Sequence, residues 1–181
     1  MVDSQIAETK TNAWVLLPHN KTKSSKRSPN YSMVEAVSLA NALPNLNVIG
    51  NLIVNFRSVH PGTFFGKGKI TELESVFKNS HVELVLIDGH ISPVQQRNLE
   101  KKWAVKILDR TGLILEIFSD RARTREGVLQ VEMAALSYQK TRLVRAWTHL
   151  ERQRGGLGFV GGPGETQVES DRRAIDTQLT R

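Results

Sequence analysis

The chain has 181 residues, 39% hydrophobic and 24% charged, a composition that suits one ordinary domain with a packed core and excludes wholesale disorder. Cysteine is absent, which excludes a disulfide framework, a thiolate metal site and a cysteine nucleophile. No apolar run is long enough to span a bilayer, and 25 basic against 18 acidic side chains give +7, a balance that points to a polyanionic partner.

Residues 1–12 read as a flexible leader without the apolar stretch of a signal peptide, consistent with a cytoplasmic protein. Residues 13–120 read as an α/β subdomain. Ala13–Leu17 is the first predicted strand, and His19 to Asn30, rich in Lys, Ser and Pro, an exposed loop. A helix is expected from about Ser32 to Leu43, with Met33, Val37 and Ala40 apolar and Pro44 closing it. Val48–Phe56 is β-rich, and Thr71–Phe77 a short helix. Val82–Ile87 is an apolar run ended by Asp88-Gly89, the pattern of a buried parallel strand. Ser92-Pro93 puts Ser at the N-cap and Pro at the first position of a helix to about Lys102. Val105–Leu108 is the last strand, followed by a short helix over Thr111–Phe118. Strands alternating with helices predict a small parallel four-stranded sheet with flanking helices and right-handed crossovers.

Residues 121–181 change character. Leu129, Met133, Leu136, Lys140, Leu143, Trp147 and Leu150 are spaced alternately by four and three, a heptad seam. One helix of about 28 residues, roughly 42 Å long, would carry it as far as Gly155-Gly156. Six glycines and one proline between Gly155 and Gly164 preclude regular structure. Val168, Arg172, Ile175 and Leu179 then resume helical spacing. The expected architecture is a long antiparallel, coiled-coil-like helical hairpin with a glycine-rich tip at 155–164. Its return arm is the shorter, so either the body covers Leu129, Met133 and Leu136 or the return helix continues past Arg181. The second is the expectation.

Positive charge is unevenly placed. Residues 31–120 hold nine basic and nine acidic side chains, whereas 121–154 hold eight basic against Glu126, Glu132 and Glu151. Arg142, Arg145, Arg152 and Arg154 approach the tip, where arginine bridges phosphates or stacks on bases. With the tip residues Gly155, Gly156, Gly158, Phe159, Gly161, Gly162 and Gly164 they form the candidate RNA-binding set, since glycines let backbone approach a crowded surface.

Other motifs are weaker. Gly62-Thr-Phe-Phe-Gly66-Lys67 is one residue short of a phosphate loop, and Gly68 stands where the magnesium-binding Ser or Thr belongs. Gly66, Lys67, Gly68 and Lys69 remain weak anion or nucleotide candidates, since a turn opening a helix offers free amides. The five histidines show no metal-ligand spacing, no Gly-x-Ser-x-Gly elbow occurs, and Asp88 at a strand end is read mainly as a turn cap.

Gly66-Lys-Gly-Lys69, Ser92-Pro-Val-Gln-Gln-Arg-Asn-Leu99, Asp109-Arg-Thr-Gly-Leu-Ile-Leu-Glu-Ile-Phe118, Arg121-Ala-Arg-Thr-Arg-Glu-Gly127, Trp147-Thr-His-Leu150 and Gly162-Pro-Gly-Glu-Thr-Gln167, with Asp171-Arg-Arg173, resemble the amino-terminal region of HflX-type GTPases. The resemblance runs from about Trp14 to the end. It implies an α/β subdomain and a helical hairpin preceding a GTP-binding domain, and a cytoplasmic protein that binds the large ribosomal subunit. It further implies a hairpin tip at ribosomal RNA of the peptidyl-transferase region, in ribosome splitting, rescue or biogenesis. Phe159-Val160 stand where many members carry a basic residue, so tip contact by stacking or apolar packing is expected.

The chain contains no Gly-x4-Gly-Lys-Ser/Thr and no guanine-reading Asn-Lys-x-Asp. As written it is expected to bind no cofactor and hydrolyse no GTP; GTP and Mg2+ belong to the full-length family protein, with the GTP-binding domain supplied in cis or in trans. Two alternatives stand beside the RNA reading. One is an ATP-binding α/β domain using Gly66–Lys69. The other is a docking module whose open heptad seam receives a separate GTPase domain.

Overall fold

A computed structural model describes residues 10–22, 27–142 and 177. Four strands, β1 (Thr11–Asn20), β2 (Leu46–Phe56), β3 (Leu84–Ile87) and β4 (Lys106–Asp109), form one parallel sheet in the order β2-β1-β3-β4. Helices α1 (Pro29–Ala40), α2 (Lys67–Asn79), α3 (Pro93–Trp103), α4 (Arg110–Arg121) and α5 (Arg125–Arg142) complete the described chain. The expected parallel four-stranded α/β sheet is thus present, and Thr11 and Asn12 belong to β1 rather than to a leader.

Several boundaries move for identifiable reasons. The segment expected to loop from His19 to Asn30 is strand as far as Asn20. At its far end Ser28 caps α1, its Oγ accepting from Tyr31 N at 3.3 Å, with Pro29 at the first helical position. The helix therefore starts earlier than Ser32. α2 starts at Lys67, not Thr71: Gly66 is its N-cap, and Gly68 is tolerated in an open first turn.

Alternation along β1 divides the core in two. Leu16 packs with Val54, Phe65, Leu73, Phe77, Val85, Ile107 and Trp103 on the face covered by α2 and α3. Val15 and Leu17 pack with Met33, Ala36, Leu86, Leu108, Leu113 and Ile117 beneath α1 and α4. The β1–β2 register shifts between Ala13 and Trp14, where Ile49 is an extra residue; Gly50 follows it because a methyl there would overlap the Trp14 indole.

The Ser-Pro-Val-Gln-Gln-Arg-Asn-Leu stretch is an organiser of the loop before α2. Ser92 and Gln95 form a reciprocal capping box at 3.2 and 2.9 Å. Gln95 Nε2 also donates to His60 O at 3.0 Å, and Asn98 Nδ2 to Gly62 O at 2.8 Å. Gln96, fully buried, donates to Ile107 O at 2.9 Å. Beside it, Glu100 Oε1 accepts from Ile107 N at 3.1 Å.

Burial pushes the Glu100 carboxyl above the usual range, outweighing the hydrogen bonds from Ile107 and Gln96 and the charge of Lys106. A carboxyl raised in the folded state favours folding below its unfolded pKa and costs stability as pH rises through the folded one. Glu100→Gln keeps an acceptor for Ile107 N. It is therefore expected to melt above the wild type at about pH 8, the difference vanishing near about pH 4. Thermal melts across that range check it.

Candidate functional site

A sheet ordered β2-β1-β3-β4 reverses its winding between β1 and β3, and α/β proteins place functional groups in the crevice at the carboxyl ends of such strands. Here the crevice is spanned by an ion-pair chain. Arg110, first residue of α4, donates through Nη1 to Asp88 Oδ1 at 2.7 Å and through Nη2 to Glu35 Oε1 of α1. Arg27 Nη1 donates to Glu35 Oε2 at 3.1 Å. The chain joins α1, β3 and α4. The Arg110 guanidinium, by hydrogen bond and charge, and Arg27 by charge, hold the Glu35 carboxyl below the usual range. Its contribution is present above the unfolded carboxylate pKa and is lost as pH falls through the lowered one. Asp88 therefore serves as an Arg110 acceptor, not as the turn cap expected from sequence; Ser92 is that cap.

Next to this chain lies a shallow cleft of about 220 Å³ lined by Leu17, Pro18, His19, Asn20, Arg27, Pro29 and Ser32. Among the described residues no group of three or more His, Asp or Glu is placed to hold a metal ion.

One strand further along, Asp109 anchors the emerging helical arm. Its carboxylate is 1% exposed as a residue and caps α4, Oδ1 accepting from Gly112 N at 2.9 Å. The same oxygen accepts from the Tyr138 hydroxyl of α5 at 2.6 Å. Gly112 provides the room: a methyl there would overlap Leu108 Cδ1 and stand 2.8 Å from the Tyr138 oxygen. Asp109 to Gly112 has the bare Asp-x-x-Gly spacing of a GTPase switch, but here it is a helix start. In Arg121-Ala-Arg-Thr-Arg-Glu-Gly127, Thr124 Oγ1 accepts from Gly127 N at 3.1 Å where α5 begins. The two motifs set the joint between body and arm.

Half-buried Val131, Ala135 and Tyr138 run along α5, which packs on α4. The body does not cover the whole expected seam, since Leu129 is 53% and Met133 54% exposed. Only Leu136 of the three is half-buried.

Of the candidate RNA set, Arg142 is the last residue of α5. Arg145, Arg152, Arg154 and Gly155, Gly156, Gly158, Phe159, Gly161, Gly162 and Gly164 lie outside the described residues, as does the return arm apart from Thr177, which is helical. Gly66 to Lys69 form the cap and first turn of α2. Lys69 Nζ is paired with Glu72 Oε2 at 2.6 Å, and a Cβ on Gly68 would meet nothing within 4 Å. Tyr138 and Glu35 carry no signal in the sequence reading, and Asp109 and Arg110 enter it only as the first two residues of the Asp109–Phe118 motif, without a role. Asp109 at a strand end, three residues before Gly112, is an N-cap signal that could have found one of them.

The family model for the GTP-binding GTPase N-terminal region matches residues 30–119, and that for the GTP-binding GTPase middle region matches 121–181. GTPase HflX of Magnetococcus marinus is 52% identical over 134 residues, covering 74% of this chain and 31% of that protein. GTPase HflX of Escherichia coli strain K12 is 51% identical over 125 residues, covering 69% and 29%. The chain thus spans about a third of the length of the curated relatives it matches. Among solved structures, a GTP-binding protein from the hyperthermophilic archaeon Sulfolobus solfataricus in complex with GDP aligns with TM-score 0.57 at 16% identity, over 94% of this chain and 45% of that one. This last likeness is one of fold. With the two family regions meeting at the α4–α5 joint and half of the aligned residues identical to HflX proteins, the chain belongs to the HflX family of GTPases, whose amino-terminal and middle regions it carries.

Proposed function

We propose that the chain is the ribosome-binding, non-catalytic module of an HflX-type GTPase in the cytoplasm. In this reading the basic segment 121–154 and the tip Gly155–Gly164 contact large-subunit ribosomal RNA near the peptidyl-transferase region, during ribosome splitting, rescue or biogenesis. A GTP-binding domain, in cis or in trans, supplies GTP, Mg2+ and hydrolysis. The observation that carries the reading is the charge distribution: a neutral body, then +5 over 121–154 leading into a tip of six glycines. Family membership supports it. The Tyr138–Asp109 hydrogen bond gives the body a way to aim the arm.

Arginine–phosphate contacts make binding fall steeply with salt. Arg142→Ala, Arg145→Ala, Arg152→Ala and Arg154→Ala, made singly, should each weaken large-subunit binding and lower the log–log salt slope by up to about one unit per phosphate contact. Phe159→Ala should cost about 1–3 kcal/mol where the ring stacks on a base. Replacing Gly155–Gly164 by a short turn should leave folding intact, because loop length is cheap to change, yet remove most binding. Co-sedimentation with large subunits over a salt series reads all of these. A tip-replaced chain that binds with unchanged affinity and slope refutes the proposal.

The exposure of Leu129 and Met133 favours a second reading, in which this face of α5 receives the GTP-binding domain. Pull-down by a separately made GTP-binding domain, weakened by Leu129→Ser with Met133→Ser, tests it.

A further inference from the structure

The outer edge of β2 is unusual for a sheet edge. β2 runs eleven residues, Leu46–Phe56, and pairs with β1 on one side only; among the described residues no strand lies on the other. Long exposed edges are ordinarily guarded by lysine, proline or a bulge. β2 has its bulge at Ile49, but from Gly50 to Phe56 it contains no charged residue and no proline.

The direction of its free groups follows from one hydrogen bond. Lys21 N donates to Phe56 O at 3.1 Å, so Phe56 turns its backbone groups toward β1. Alternation then turns Val54 and Leu52 the same way, and presents the N–H and C=O of Asn51, Ile53 and Asn55 outward. Those three residues form a pattern that reads the same in both directions, Asn-x-Ile-x-Asn. Asn51 and Asn55 are exposed, and Ile53 packs partly against the core beneath α1.

We propose that this edge pairs with the same edge of a second copy, antiparallel about a two-fold axis through Ile53. In that register Ile53 faces Ile53 of the second copy, and Asn51 faces Asn55 of the second copy. Three facing pairs, each exchanging two backbone bonds, give about six hydrogen bonds. Asparagine amides face one another on either side of the isoleucine pair. The two sheets become one of eight strands, through an isologous contact that closes on itself and leaves no further edge of this kind. The surface is small against that of an obligate dimer, so association is a concentration-dependent equilibrium.

The test uses the full chain. Its mass by light scattering should rise with concentration from 20.3 kDa toward twice that value. Asn51→Lys with Asn55→Lys puts lysines opposite lysines, and Asn51→Glu with Asn55→Glu does the same with carboxylates; like charges directly opposite repel. Each double variant should stay at 20.3 kDa with an unchanged melting temperature, and mixing the two should restore the doubled mass. A wild-type mass constant over the whole series overturns the proposal. So does a lysine variant that associates as the wild type does. Association appearing only after residues 1–9 are removed would equally overturn it, and would assign the edge to that segment.

Discussion

Phe77→Ala is expected to lower the free energy of unfolding by about 3–5 kcal/mol, the usual cost of emptying a buried phenylalanine site. Phe77 is 1% exposed, with its ring edge-on to Trp103 at a 5.1 Å centroid distance and to Trp14 at 6.0 Å. Both neighbours are held: Trp103 Nε1 donates to Ile70 O at 3.1 Å, and Trp14 lies across Gly50. Neither indole can close over the space without breaking that contact, so relaxation is small and the cavity persists. For a chain of this length the change corresponds to a fall of roughly 6–20 °C in melting temperature. Phe118→Ala is the control, because Phe118 is 57% exposed on α4 and its loss should stay within about 0.5 kcal/mol. Denaturant titration of the three proteins decides the matter, and equal losses in the two variants would contradict this account of the core.

The contrast between Phe77 and Phe118 shows where sequence reading succeeds and where it stops. The fold class was legible because β3 is a continuous apolar run and the helices between strands carry local start signals, Ser92-Pro93 above all. Ser28-Pro29 is the same signal, masked by a run of lysines and serines whose composition reads as loop. The start of α2 was hidden by glycines that disfavour helix in isolation, whereas tertiary packing of Ile70 and Leu73 overrides that preference. Strand order was not legible, since sequence spacing is the same for any permitted arrangement of the four strands.

The site was less legible still, for a different reason. The heptad pattern drew attention to Leu129, Met133 and Leu136 and left Tyr138 off the seam. Yet Tyr138 reaches from α5 to hydrogen-bond a buried carboxylate of the body. Periodicity finds apolar stripes; it does not find one hydroxyl aimed at one capping aspartate. Likewise, Glu35 and Arg110 stand 75 residues apart in sequence, and only the crossing of α1 and α4 over one sheet face brings them together.

That hydroxyl–carboxylate pair carries the second large effect. Asp109→Ala should destabilise the protein by about 2–3 kcal/mol: roughly 1–2 from the lost cap on α4, and about 1 from the Tyr138 hydroxyl left without this acceptor. Tyr138→Phe removes only the second contribution and should cost about 1 kcal/mol. If the two side chains act through their shared hydrogen bond, the double variant should cost about the same as Asp109→Ala alone, leaving a coupling energy near 1 kcal/mol. Under the ribosome-binding reading, Tyr138→Phe should also weaken large-subunit binding without altering its salt slope, because it loosens the aim of α5 and removes no phosphate contact. An arginine variant in the arm should change both quantities. Measuring stability by denaturant titration and binding across a salt series therefore separates a residue that points the arm from one that touches RNA. Strictly additive stability losses for Asp109→Ala and Tyr138→Phe would show that the hydrogen bond does not hold the arm to the body.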